Sequence, residues 1–122
     1  MTFIDLADGG RALAPLIEPL VTLGTEVTPL TTTRSESGVT VEIPIAVAGL
    51  RVVVVDDGVE TGTAARAVAR ALRDAGAVHL VLAVPVCPRE AEADLRGRYD
   101  DVVAVERPLV RRSLRWHYET FA

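Results

Sequence analysis

The sequence predicts an α/β domain: a parallel sheet with helices on both faces, making three layers. Three observations point there. First, the segments Arg51–Val55, His79–Val84 and Asp101–Val105 read RVVVV, HLVLAV and DVVAV, and runs this apolar suit strands buried on both faces rather than one. Second, the stretches between them carry apolar residues at helical spacing, so the order is strand, helix, strand, helix, strand. Third, that alternation implies parallel strands joined by right-handed crossovers.

The elements follow in chain order. Leu13, Leu16, Ile17 and Leu20 repeat at helical spacing, but Pro15 and Pro19 interrupt them, so a short or kinked helix is expected. Thr25–Arg34 is rich in threonine and carries one proline. In Gly38–Val47, Val39, Val41, Ile43 and Ile45 alternate with Thr40 and Glu42. This pattern reads as a half-exposed strand, at an edge because of Pro44. It is expected to pair with Val27–Thr33 as an antiparallel hairpin turning at Ser35–Gly38.

After Arg51–Val55, Thr61 or Thr63 is expected to cap a helix. Ala65, Val68, Ala69 and Leu72 form its apolar stripe, and Arg66, Arg70 and Arg73 fall on its wet side. Gly76 ends it. Pro85 and Pro88 bracket a loop beyond the second strand. A further helix is expected from Pro88 to Arg98, acidic in its first turn and basic in its last, with Ala91 and Leu95 inward. Arg111–Phe121 reads as a short terminal helix.

Composition narrows the function. A chain of 122 residues, 49% hydrophobic, supports one domain over residues 1–122 with a sizeable core. A net charge of −4 argues against a nucleic-acid backbone as partner. No apolar run reaches membrane-spanning length, and no signal-like segment follows Met1. Cys87 stands alone, which excludes an internal disulfide and suits a reducing compartment, so a cytoplasmic protein is expected. All 13 cationic residues are arginines, which rules out Schiff-base, P-loop and receiver-domain lysines. No internal repeat or low-complexity tract is visible.

The chemistry concentrates at Asp56–Ala64, DDGVETGTA. Asp56 and Asp57 follow where a buried strand leaves its sheet, and in parallel folds ligands bind beyond the carboxyl ends of strands. The loop of small and hydroxyl residues can wrap backbone N–H groups around a phosphate, and the next helix adds its N-terminal dipole. Two carboxylates beside a phosphate cradle suit a phosphorylated sugar. The acids accept from hydroxyls or hold a hydrated cation. Elsewhere the residues read as structural: His79 starts a strand, Cys87 is a loop thiol at the same rim, and Trp116, Tyr118 and Phe121 pack. Arg111, Arg112 and Arg115 form a wet helix face, and His117 has no second histidine with which to share a metal.

The motif resembles the ribose-5-phosphate loop of the type I phosphoribosyltransferases, in the subgroup whose motif reads roughly DDGxATG. Phe3–Leu16 is similar to that subgroup's N-terminal helix, and VVAVERP with WHYETF (Trp116–Phe121) to its last strand and aromatic tail. The resemblance implies that Asp56 and Asp57 grip the ribose hydroxyls and act as the catalytic acids. Gly58 and Val59 lead into a phosphate loop made of Glu60, Thr61, Gly62, Thr63 and Ala64. Glu60 departs from the pattern, standing where a small residue is usual. The implied ligand is phosphoribosyl pyrophosphate (PRPP) or a nucleoside monophosphate. If the protein is active, a phosphoribosyl group moves between pyrophosphate and a nitrogen base, with magnesium (Mg2+) carried on PRPP. The alternative is a non-catalytic relative that keeps the pocket as a nucleotide sensor or partner-binding subunit. The resemblance also implies a homodimer or a partner protein, and a flexible hood formed by the hairpin. No pyrophosphate loop resembling PRGG is present. Arg11–Leu50 spans 40 residues, and a complete βαβ unit needs roughly 30 or more, so strand, loop and helix do not fit there beside the first helix and the hairpin. Arg34 is the single cation left near that position.

Overall fold

The valine-rich runs do form the centre of a parallel sheet. In the computed structural model, which describes residues 6–21, 25–29, 32–35, 38–43, 46–59 and 61–109, helix α1 (Leu6–Ile17) leads into a 3-10 turn at Glu18–Leu20. Then come β1 (Thr25–Pro29), β2 (Thr32–Ser35), β3 (Gly38–Val41) and β4 (Arg51–Val55). Helix α2 (Thr63–Asp74), β5 (His79–Val86), α3 (Arg89–Leu95) and β6 (Asp101–Glu106) complete the described chain. Four strands pair in the order β1-β4-β5-β6, all parallel.

Alternation along the strands divides the core in two. Val52, Val54, Leu80, Leu82, Val84, Val102 and Ala104 face α2 and α3, meeting Val68, Leu72 and Leu95. Val53, Val81 and Ala83 face the other way, against Leu13 of α1, with Ile17 and Leu20 at the margin. Helices on both faces are therefore what the two-sided apolar runs require. α1 lies over β5 and β6, so the same face of β1 is less covered and Val27 remains 46% exposed.

The first third differs from expectation. A hairpin exists, but it joins β2 to β3, with Ser35 opposite Gly38 and Thr32 opposite Val41. The stretch expected to be its first strand is divided: Thr25–Pro29 instead joins the main sheet as an edge strand, Thr25 opposite Arg51 and Pro29 opposite Val55. The crossover from β1 to β4 runs through the hairpin, without a helix among the described residues. β3 stops at Val41, and the chain beyond it packs Val41, Ile43 and Val47 against the α2-side core.

Smaller differences have local causes. β5 runs on through Pro85 to Val86. Pro85 lies beyond the last β4–β5 pair, Val55 opposite Ala83, so its missing N–H interrupts no β4 ladder. α3 ends at Leu95, and Gly97 and Arg98 turn back onto Asp94 and Leu95 carbonyls. α1 carries Pro15 in its last turn, and the chain then tightens to a 3-10 turn. The expected terminal helix Arg111–Phe121 lies outside the described residues.

Candidate functional site

β4 leaves the sheet at Val55, and Asp56 extends its ladder by one residue, donating its N–H to the carbonyl of Ala83 at 3.3 Å. Asp56 and Asp57 are both partly buried. The Asp57 N–H donates to Asp56 Oδ1 at 2.8 Å. Burial, and then the neighbouring Asp57 carboxyl, push Asp56 up to about 7, although the Asp57 N–H pulls the other way. Asp56 therefore stands near neutrality between its protonated and ionised forms. Its charge is also felt by Tyr99, whose phenol is raised first by burial and then by Asp56. Tyr99 is 2% exposed and donates its hydroxyl to the Ala65 carbonyl at 2.7 Å, linking the turn after α3 to the first turn of α2.

The loop from Gly58 to Gly62 is fastened to the sheet. The Val59 N–H donates to the Val86 carbonyl at 2.8 Å, and the Val59 side chain enters the α2-side core. Gly58 has φ +149° and Gly62 φ +88°, conformations that favour glycine. A Cβ on Gly62 would also come 3.3 Å from Arg66 Nη1.

The expected cap is replaced. Gly62 is the N-cap of α2, and no side chain caps it. Thr61 and Thr63 instead bond to one another. Their hydroxyls lie 3.2 Å apart, and the Thr63 N–H reaches Thr61 Oγ1 at 3.4 Å. The first-turn N–H groups of a helix have no intrahelical acceptor, and here the N-cap side chain offers none. The N-terminus of α2 thus follows the acid pair along the chain, with the Thr63 N–H on Thr61 Oγ1 and no cap from Gly62. Ala64 sits in that first turn, half-buried.

Arg66 is the site residue the sequence reading missed, having placed it on the wet side. Its guanidinium folds back toward the loop. It donates to the Thr61 carbonyl at 3.4 Å and Thr63 Oγ1 at 3.3 Å, and pairs with Asp94 at 3.1 Å. The bond from Arg66 is the foremost reason the Asp94 carboxyl lies below its usual range. The available signal was spacing, since Arg66 follows Thr63 by three residues and so shares its helix face.

Other candidates leave the site. Cys87 is fully buried, and burial pushes its thiol up to about 11, so it is not a rim nucleophile. His79 begins β5, at the opposite end of the sheet from the acids. Arg107 turns inward to Glu92 and to the carbonyls of Val102 and Ala104. Glu60, Arg111, Arg112, Arg115, Trp116, His117, Tyr118 and Phe121 lie outside the described residues, and Arg34 lies on β2. Among the described residues no group of three or more metal-ligating side chains is gathered. Beside Asp56, β1 ends at Pro29 opposite Val55 and β2 begins at Thr32. Only positions 30–31 join them.

Comparison with known proteins speaks to family and fold. The profile of the phosphoribosyl transferase domain matches residues 7–111. Proteins from two strains of Mycobacterium tuberculosis, provisionally named phosphoribosyl transferases, are 36% identical over 77 residues. That match covers 63% of this chain and 17% of those relatives. Among solved structures, TT1426 from Thermus thermophilus superposes with a TM-score of 0.81 at 20% identity, over 100% of this chain and 92% of that one. Adenine phosphoribosyltransferase from Rhodothermus marinus superposes with a TM-score of 0.58 at 17% identity, over 80% of this chain and 78% of that one. These structural likenesses speak for the fold.

Proposed function

This chain belongs to the phosphoribosyl transferase family, and on that premise we propose that it binds a ribose 5-phosphate group, as PRPP or a nucleoside monophosphate. The observation that carries the proposal is the junction of β4 and α2. Two adjacent carboxyls, Asp56 and Asp57, stand at the end of a central strand. The loop after them opens a glycine-capped helix with no side-chain cap. In this reading the ribose hydroxyls donate to Asp56 and Asp57, and the 5-phosphate accepts from the N–H groups of Thr61–Ala64 and from the threonine hydroxyls. Arg66 holds those threonines and adds positive charge behind them.

Magnesium fits this arrangement only as a passenger on the ligand. It binds through one or two carboxylates together with substrate phosphates, and two acids are what the rim supplies. When bound, it would neutralise the pyrophosphate charge. Asp56 and Asp57 would steady the ribose as positive charge develops on the sugar.

Binding without efficient transfer is the second reading, favoured by the two-residue connection between β1 and β2. So short a link leaves little backbone to surround a pyrophosphate. Titration calorimetry with PRPP and nucleoside monophosphates tests the binding that both readings share, and pyrophosphate release tests the transfer that divides them. Saturable binding at micromolar to millimolar ligand is expected. A folded protein that takes up no heat to millimolar concentration would reject the ribose 5-phosphate reading.

A further inference from the structure

A groove of about 600 Å3 runs along the outer side of α2, starting at Thr63 and lined by Arg66, Arg70, Arg98 and Asp74, with Val41 of the hairpin on its far bank. Its volume lies in the range of small-molecule sites. Ala67 and Ala71 also line it, and their small side chains let a ligand approach the helix closely.

The charge in the groove is graded. Arg66 and Arg98 share one carboxylate, Asp94, at 3.1 and 3.4 Å. Arg70 is exposed and makes no ion pair with any described residue. Three guanidinia thus line the groove, and two of them share a single carboxylate outside it. Asp74 closes the far end. From Thr63 to Arg70 the helix rises roughly 10 Å, so the cationic tract begins at the phosphate loop and extends well past one phosphate group. Guanidinium forks match phosphate oxygens well.

We propose that this groove receives further phosphate groups attached to the 5-phosphate, so that the ligand class is a nucleoside 5′-diphosphate or triphosphate. The inference rests on the ribose 5-phosphate reading above: the sugar lies toward Asp56 and Asp57, the first phosphate at the loop, and the next phosphates along Arg66 and Arg70. Arg98 closes the groove from the turn after α3.

Calorimetry on the whole chain, without divalent metal, tests it with AMP against ADP and UMP against UDP. Each diphosphate is expected to bind at least about tenfold more tightly than its monophosphate, the equivalent of one added charged hydrogen bond. Arg70→Ala with Arg98→Ala should abolish that gain and leave monophosphate affinity unchanged. Both side chains are exposed, and circular dichroism verifies the fold. Equal affinity for mono- and diphosphates overturns this inference alone. A gain that survives the double substitution also overturns it. Absence of binding by all four nucleotides removes the ribose 5-phosphate reading and this inference with it.

Discussion

Asp56 is the residue where folding and the proposed function oppose one another. Its carboxyl is raised to about 7 from 3.8, chiefly by burial. An unfolded chain releases this proton near 3.8, while the folded chain keeps it until about 7. Between those values the folded state binds more protons, so stability falls as pH rises through the window and levels off above it. Asp56→Asn should therefore stabilise the protein at pH 8, by on the order of 2 kcal/mol. That is less than a fully buried group would give at ~1.4 kcal/mol per pH unit, because water reaches this carboxyl. Near pH 4 the gain should vanish. Urea denaturation at pH 4, 6 and 8 reads this directly, and a gain that does not grow with pH contradicts the burial of Asp56. The ligand should pull the other way. Asp56→Asn combined with Asp57→Asn is expected to weaken binding of ribose 5-phosphate more than binding of inorganic phosphate, since only the sugar needs the acids. Equal losses in calorimetry would move the sugar elsewhere.

At the scale of elements, α2 and α3 are held to the sheet by packing first and polar links second. Leu95 is fully buried in the core that joins α2, α3 and the sheet, and its removal leaves a cavity. Leu95→Ala should cost about 2–5 kcal/mol. Tyr99→Phe removes only the bond to the Ala65 carbonyl and should cost about 1 kcal/mol. Chemical denaturation of both variants checks the order, and a larger loss for Tyr99→Phe would make the hydrogen bond the main clamp on α2. Asp100 is a second polar link. It accepts the Leu80 N–H at 2.7 Å and pairs with Arg73 at 2.9 Å, and the Leu80 N–H is the foremost reason its carboxyl lies below the usual range. Its contribution is therefore present at neutral pH and lost as pH falls through its lowered folded-state pKa.

The whole molecule has an open side. β1 is an edge strand of the described sheet, and Val27 is 46% exposed on it. Edges of this kind template pairing unless covered, so we expect a homodimer or a partner protein. Sedimentation at micromolar concentration decides it, and a monomer at every concentration would mean that the edge is covered within one chain. Activity belongs to this scale as well. The matched stretch spans 17% of the length of the Mycobacterium relatives, and the β1–β2 link is two residues long. Pyrophosphate release with a panel of bases and magnesium is therefore expected to be weak or absent for this chain alone. Turnover near the usual enzyme range of roughly 1–1,000 per second would show that the short link suffices, or that a second copy completes the site.

The sequence by itself determined the parallel sheet, the order of its last three strands and the place of the acid pair and its loop. Each of these is a local property: valine runs need two covered faces, a Gly–Thr loop needs special backbone angles, and spacing of 3.6 residues marks α2. What only the tertiary structure decided involves partners distant in the chain. Val27–Thr33 looked like half of a hairpin because Val27 and the threonines suit any strand, and only the approach of β4 drew Thr25–Pro29 into a parallel edge. Arg66 looked like a solvent-facing helix residue until Asp94, 28 positions away, fixed its guanidinium beside Thr61 and Thr63. The proton on Asp56 likewise depends on burial that long-range packing supplies, which no spacing of residues in the chain can express.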